Sequence, residues 1–284
     1  MRFCRYQLAD GSTGLGAAFE DGIVSLSALD PSLVDNMEAL MGDQVGLSAL
    51  WQQAQQTPRL EGSPRFLAPI LKPEKVICVG LNYRDHAIET NSPIPSEPVI
   101  FNKFPSTLIG PEDTIVLPPE SERVDYEAEL VVVIGKTCHR VSTDNALDYV
   151  FGYSCGHDVS ARDWQKGKPG GQWLLGKTFD TFAPLGPFVA HKSSIADPGK
   201  LSIQFRLNGE TLQDSNTEQL IFSIPEVISY LSQVVTLKPG DLIYTGTPSG
   251  VGDARTPPRY LNDGDVCEVE IEGLGVLSNP CKRE

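Results

Sequence analysis

Asp125-Tyr126-Glu127-Ala128-Glu129-Leu130-Val131-Val132-Val133-Ile134 is the stretch from which the rest of the chain can be read. The apolar run Leu130 to Ile134 predicts a strand. Strand side chains alternate between faces, so Glu127 and Glu129, at i and i+2, share one face. Adjacent carboxylates repel, and burying either one unpaired is costly. A divalent cation relieves both penalties. Oxygen-only ligands suit a hard ion such as Mg2+, Mn2+ or Ca2+. Asp158, in Gly156-His157-Asp158-Val159-Ser160, is a candidate third carboxylate that would leave positions for water or substrate. Taken alone, Glu-x-Glu reads more readily as the acidic outer face of an exposed strand, because such metals impose no strict sequence spacing. The rest of the chain decides between the two.

At 284 residues the chain can bury a full core and is large for one average domain, which suggests one large unit with a small appendage. Lys and Arg total 23 against 37 Asp and Glu, a net charge of -14 without a basic cluster, which disfavours nucleic acid and anionic membranes as partners. No apolar run approaches a membrane span, and Met1 to Tyr6 alternates like a strand rather than a secretory signal. Six scattered cysteines without a C-x-x-C pair read as small buried hydrophobes in a reducing compartment, with cytosol the default expectation.

Alternating segments at Arg2 to Leu8, Gly14 to Glu20 and Gly22 to Ser27, separated by Asp10-Gly11 and Asp21-Gly22, predict strands. Leu33, Met37, Leu40 and Met41 share a helical face, and a second helix is expected from Val45 to Gln56. Prolines at 58, 64, 69 and 73 mark an extended connector. The expected division is therefore 1–72, a small α+β domain with its connector, and 73–284, a β-rich body. Within the latter, Leu207-Asn208-Gly209-Glu210 predicts a hairpin and Pro225 to Val235 a helix. Lys238-Pro239-Gly240-Asp241 launches a strand at Leu242, and a last β pair is expected at Val266 to Ile271 and Gly275 to Leu277. Many strands, few helices and 22 prolines indicate an α+β, β-rich fold rather than a doubly wound sheet.

Asp85-His86-Ala87-Ile88-Glu89 follows a strand and a short connector. If helical, it sets His86 and Glu89 i, i+3 on one face, where the carboxylate can orient the imidazole for proton transfer or water activation. An exposed helix turn is the plainer alternative. Asn91 to Ser96, with two prolines, suits a lid. Gly246-Thr247-Pro248-Ser249-Gly250-Val251-Gly252 lacks the Gly-Lys-Ser/Thr of a phosphate loop, though its amides and hydroxyls could hold a carboxylate. Lys177 reads either as a substrate-binding cation or as an ion-pair partner, and Arg162 and Asp163 as a structural pair. The absence of a Gly-x-Ser-x-Gly elbow disfavours a serine hydrolase.

From Val76 onward these blocks resemble, in order, the fumarylacetoacetate hydrolase family, closest to its domain-containing protein 2 branch. The blocks are Gly80-Leu81-Asn82-Tyr83 with His86 and Glu89, Asp125 to Leu130, His157 to Asp163, Trp173 to Phe179 and Gly240 to Pro248. The resemblance implies a β-rich roll, usually dimeric, with a small variable N-terminal domain. It implies Glu127, Glu129 and Asp158 as ligands of Mg2+ or Mn2+, with Ca2+ an ion a crystal could trap. His86 and Glu89 would form a catalytic dyad on a lid, and Lys177 would reach the substrate. Gln165 would offer a polar contact and Thr247 a carboxylate site. The substrate would be a 2-oxo acid whose enolate the ion stabilises. Oxaloacetate tautomerisation and acylpyruvate hydrolysis are then both open, with oxaloacetate decarboxylation or a catalytically silent binding protein as alternatives. Some acylpyruvase-type members carry arginine where this chain has Leu81; Arg84 lies close by as a possible substitute for the lost cation.

Overall fold

The computed structural model describes residues 1–42 and 46–284. Its centre is an eleven-stranded sheet. The main path runs Gly22–Ser25, Thr13–Phe19, Arg2–Gln7, Ala183–His191, Val150–His157, Ala128–Ile134, Leu242–Tyr244, Val76–Gly80 and Val99–Lys103. The apolar run that opens the sequence argument lies inside this sheet, and every residue from Ala128 to Ile134 is buried. Its two faces feed different cores. Leu130, Val132 and Ile134 join Phe205, Val269 and Leu277 of a second, five-stranded sheet. Val131 and Val133 join Phe3, Phe151 and Leu242 and the apolar faces of two N-terminal helices. Burial on both faces explains why the run is continuous instead of alternating.

Those helices span Met37–Gly42 and Leu47–Gln56. The expected start of the second, at Val45, lies outside the described residues. The five-stranded sheet contains the expected hairpin, with Asn208 and Gly209 at φ 54° and 83°, as a two-residue primed turn demands. The last β pair is Val266–Ile271 with Gly275–Arg283. The helix expected at Pro225 is Ile224–Val234, opened by a capping box in which Ser223 and Glu226 satisfy each other's backbone amides. Hydrogen bonding crosses the proline-rich connector: Arg2 and Phe3 pair with Ala190 and Val189, so residues 1–25 extend the large sheet.

Three local features bring the site together. Glu129 pairs opposite Gly156, setting the ends of the two central strands side by side, with Glu127 and Asp158 just beyond. The strand itself begins at Ala128; Glu127 precedes it, and its carbonyl accepts from the Asp158 amide at 3.0 Å. Asn82, wholly buried, donates to the carbonyls of Thr245 and Phe222 at 2.8 and 3.1 Å, tying the loop before His86 to the loop after Thr245. Gly246, at φ 105°, packs so close to Asn82 that a Cβ there would stand 2.8 Å from the Asn82 Cβ.

Candidate active site

Glu127, Glu129 and Asp158 each offer a carboxylate oxygen within 4.8 Å of the others, and all three are buried. Their surroundings are unequal. Glu127 accepts from Lys177 Nζ at 2.6 Å and Arg162 Nη2 at 2.7 Å. Burial works against its anion, but Lys177 and Arg162 outweigh burial and hold its carboxyl well below the usual range. Asp158 accepts from Lys177 at 2.8 Å and pairs with Lys103, whose side chain is fully buried. Glu129 accepts from the Gly246 amide at 2.8 Å. Burial first, then Asp158 and Glu127, push its pKa well above the usual range.

Counting Asp125, which holds Arg162 at 2.8 Å, four buried carboxylates face the three cations Lys103, Lys177 and Arg162. One carboxylate is in excess, and Glu129 is the one without a side-chain cation among the described residues. A hard divalent ion fits this donor set: three oxygens, no nitrogen or sulfur, and a surplus of negative charge that burial makes costly. The ammonium of Lys177 stays firmly charged; burial opposes the charge, and Asp158 and Glu127 outweigh it.

A cavity of about 400 Å3 opens over these groups, lined by Glu127, Glu129, Lys177, His86, Glu89, Gln165 and Thr247 and walled by Leu81, Phe101 and Trp173. The Arg84–Glu89 helix, expected from sequence, carries His86 Nδ1 3.2 Å from Glu89 Oε2. Glu89 Oε1 accepts from the Gly250 amide at 2.8 Å, so this helix rests on the 246–252 loop. Gln165 lines the cavity, and its Oε1 accepts from Arg162 at 2.9 Å. Thr247 Oγ1 accepts from Gln213 at 2.9 Å.

Arg84 is not brought into this constellation. Its guanidinium donates to the Leu220 carbonyl at 2.7 Å, a better use of a long side chain at a helix start than reaching round the helix. It therefore does not stand in for a cation at Leu81. Arg162 and Asp163 do not pair with each other as expected from their adjacency. Arg162 serves Asp125, Glu127 and Gln165, while Asp163 accepts from Ser121 Oγ at 2.7 Å and the Glu122 amide at 3.1 Å. Neighbours in a helix turn point apart.

Sequence reasoning missed Lys103 and the Asp125–Arg162 pair. A lone lysine ending the apolar strand Val99–Lys103 was the available signal. His157 was also missed: it is buried, both ring nitrogens lack a partner among the described residues, and burial together with Lys103 lowers its pKa to about 3. It is a neutral packing residue against Phe205, with ring centres 5.2 Å apart.

The family model described as fumarylacetoacetate (FAA) hydrolase C-terminal matches residues 75–282. The chain belongs to the fumarylacetoacetate hydrolase family and is an enzyme of that family. It is 50% identical over 287 residues to a Bos taurus protein named oxaloacetate tautomerase FAHD2A, mitochondrial, covering 98% of this chain and 91% of that one. Among solved structures, fumarylacetoacetate hydrolase from psychrophilic Exiguobacterium antarcticum is 36% identical with a TM-score of 0.88, and both chains are covered in full. Maleylpyruvate hydrolase from Sphingobium sp. SYK-6, in complex with manganese (II) ion and pyruvate, is 32% identical with a TM-score of 0.83 over 100% of this chain and 99% of that one.

The cytosolic location expected from the cysteines is overturned by the mitochondrial name of the bovine relative. All six thiols are free and buried, and a buried thiol reports a reducing milieu without saying which one. No helix among the described residues is long and apolar enough to cross a membrane.

Proposed function

We propose that this chain is a Mg2+- or Mn2+-dependent oxaloacetate keto–enol tautomerase. The observation that carries the reading is one cavity holding both a buried three-carboxylate centre and an oriented His–Glu pair. Glu127, Glu129 and Asp158 would hold the ion, which when bound supplies a Lewis acid for the carboxylate and 2-oxo oxygens of a 2-oxo acid and favours the enolate. The remaining work belongs to the chain. Lys177 spends two N–H bonds on Glu127 and Asp158 and keeps a third for a substrate oxygen. Glu89 engages His86 Nδ1, leaving Nε2 to give a proton to C3 of the enol; the enol hydroxyl proton passes to solvent and solvent returns one to the imidazole, so the protons balance. Nothing is oxidised or reduced, and water is not consumed.

Leu81, Phe101 and Trp173 give the cavity an apolar wall, which suits a reaction that consumes no water. The name of the bovine relative supports the same choice. Acylpyruvate hydrolysis is the second reading, favoured by the likeness to maleylpyruvate hydrolase and opposed by leucine at 81. A homodimer is part of the proposal and is tested by light scattering. The deciding experiment follows Mg2+-dependent decay of enol-oxaloacetate in the ultraviolet with pyruvate release in parallel. Accelerated enol loss without pyruvate is the expected result; pyruvate rising in step would mean decarboxylation. Inertness toward the enol with turnover of acetylpyruvate would establish the hydrolase instead.

A further inference from the structure

We infer that Lys166 is the specificity-determining residue that receives the distal carboxylate of a dicarboxylic 2-oxo acid; the inference rests on the function proposed above. Four acids line the cavity: Glu89, Glu127, Glu129 and Asp253. A substrate with a second carboxylate would meet repulsion at its far end unless a cation waits there. Of the other lining cations, Arg162 is committed, and the one N–H that Lys177 keeps goes to the chelating head of the substrate. Arg162 binds Asp125, Glu127 and Gln165, and Lys177 binds Glu127 and Asp158, both from buried positions at the metal centre. Arg84 is turned onto the Leu220 carbonyl.

Lys166 lines the same cavity, yet its side chain is 57% exposed and touches none of the three carboxylates of the centre. Its partner is Asp253, at 2.8 Å. Asp253 also accepts from Tyr260 Oη at 2.7 Å and pairs with Arg123 Nη2 at 2.5 Å, so it stays satisfied when the lysine leaves. That makes the Lys166–Asp253 contact a parking position: the lysine end is 57% exposed, and the largely buried Asp253 keeps Tyr260 and Arg123 when the lysine swings away. The segment after Lys166 carries three glycines, with Gly170 and Gly171 at φ 80° and 67°. A cation on a long flexible stem can follow a carboxylate that the buried, fully engaged Arg162 could not.

The test compares Lys166→Met and Lys166→Arg with the parent enzyme, both loaded with Mg2+. Two quantities are read: KM for enol-oxaloacetate, which has the distal carboxylate, and the inhibition constant of oxalate, which has only the chelating head. K166M should raise KM about tenfold or more, the equivalent of about 1.4 kcal/mol or above, with kcat little changed. Oxalate inhibition should be unchanged in both variants, and K166R should recover most of the KM. An unchanged KM in K166M overturns the inference and leaves the tautomerase reading standing. Equal weakening of oxalate also overturns it, because the lysine would then be a strut for the whole site. A parent enzyme inert toward enol-oxaloacetate removes the tautomerase reading and this inference with it.

Discussion

Lys103 and Asp158 form an ion pair in which neither side chain has any exposure to solvent. The lysine ends the edge strand Val99–Lys103, and the aspartate follows the strand Val150–His157. The ammonium also donates to the Val159 carbonyl at 3.0 Å, so it fixes both the carboxylate and the turn that carries it. Replacing Lys103 by Met leaves Asp158 sharing a single lysine in a dry setting. Removing one partner of a buried pair costs roughly 3–5 kcal/mol. The expected outcome is a fall in the urea midpoint of that order without a change in m-value, and a loss below about 1 kcal/mol would show that the pair is dispensable.

Glu129 makes the opposite case. Its carboxylate is the one in surplus, so Glu129→Gln should leave the metal-free protein at least as stable as the parent. The same substitution removes a ligand, and the parent's rise in Tm on adding Mg2+ should vanish together with turnover. A Mg2+-dependent Tm shift that survives in E129Q would place the ion elsewhere.

Much of this site was legible because its parts are local. Glu127 and Glu129 are two residues apart and His86 and Glu89 three, and the helix period brings the second pair together. Strand period says which face a residue takes, however, and not which strand lies next to it. Nothing in Arg2-Phe3 points to Ala190 and Val189, and nothing in Lys103 points to Asp158, fifty-five positions on. The proline-rich connector near residue 72 is legible in the sequence, and the strand pairing across it is not. Glu127 converges with Glu129 although it sits outside the strand, because the Asp158 amide pins its carbonyl.

His86→Gln keeps a group able to meet Glu89 but cannot carry a proton at neutral pH. General acid–base groups contribute about 10²–10⁴-fold, so kcat for enol loss should fall by that factor with KM nearly unchanged. Glu89→Gln should cost less, since it misorients the imidazole without removing it. Equal kcat in H86Q and parent would assign the proton transfer to another group.

His191 gives the fold an acid limit remote from the chemistry. It closes the strand Ala183–His191, its ring meets Phe151 edge-on with centres 5.4 Å apart, and its Nε2 is buried without a partner among the described residues. Burial, then Lys192 and the N-terminal amine, lower its pKa from 6.5 to about 4. The unfolded chain therefore binds a proton between those values that the folded chain refuses. Stability should rise with pH across that window and be lost as pH falls from 6.5 toward about 4. Urea midpoints measured across the window should decline in the parent, and the decline should be shallower in His191→Gln, which cannot take up the proton. Parallel declines would show that carboxylates alone set the acid limit.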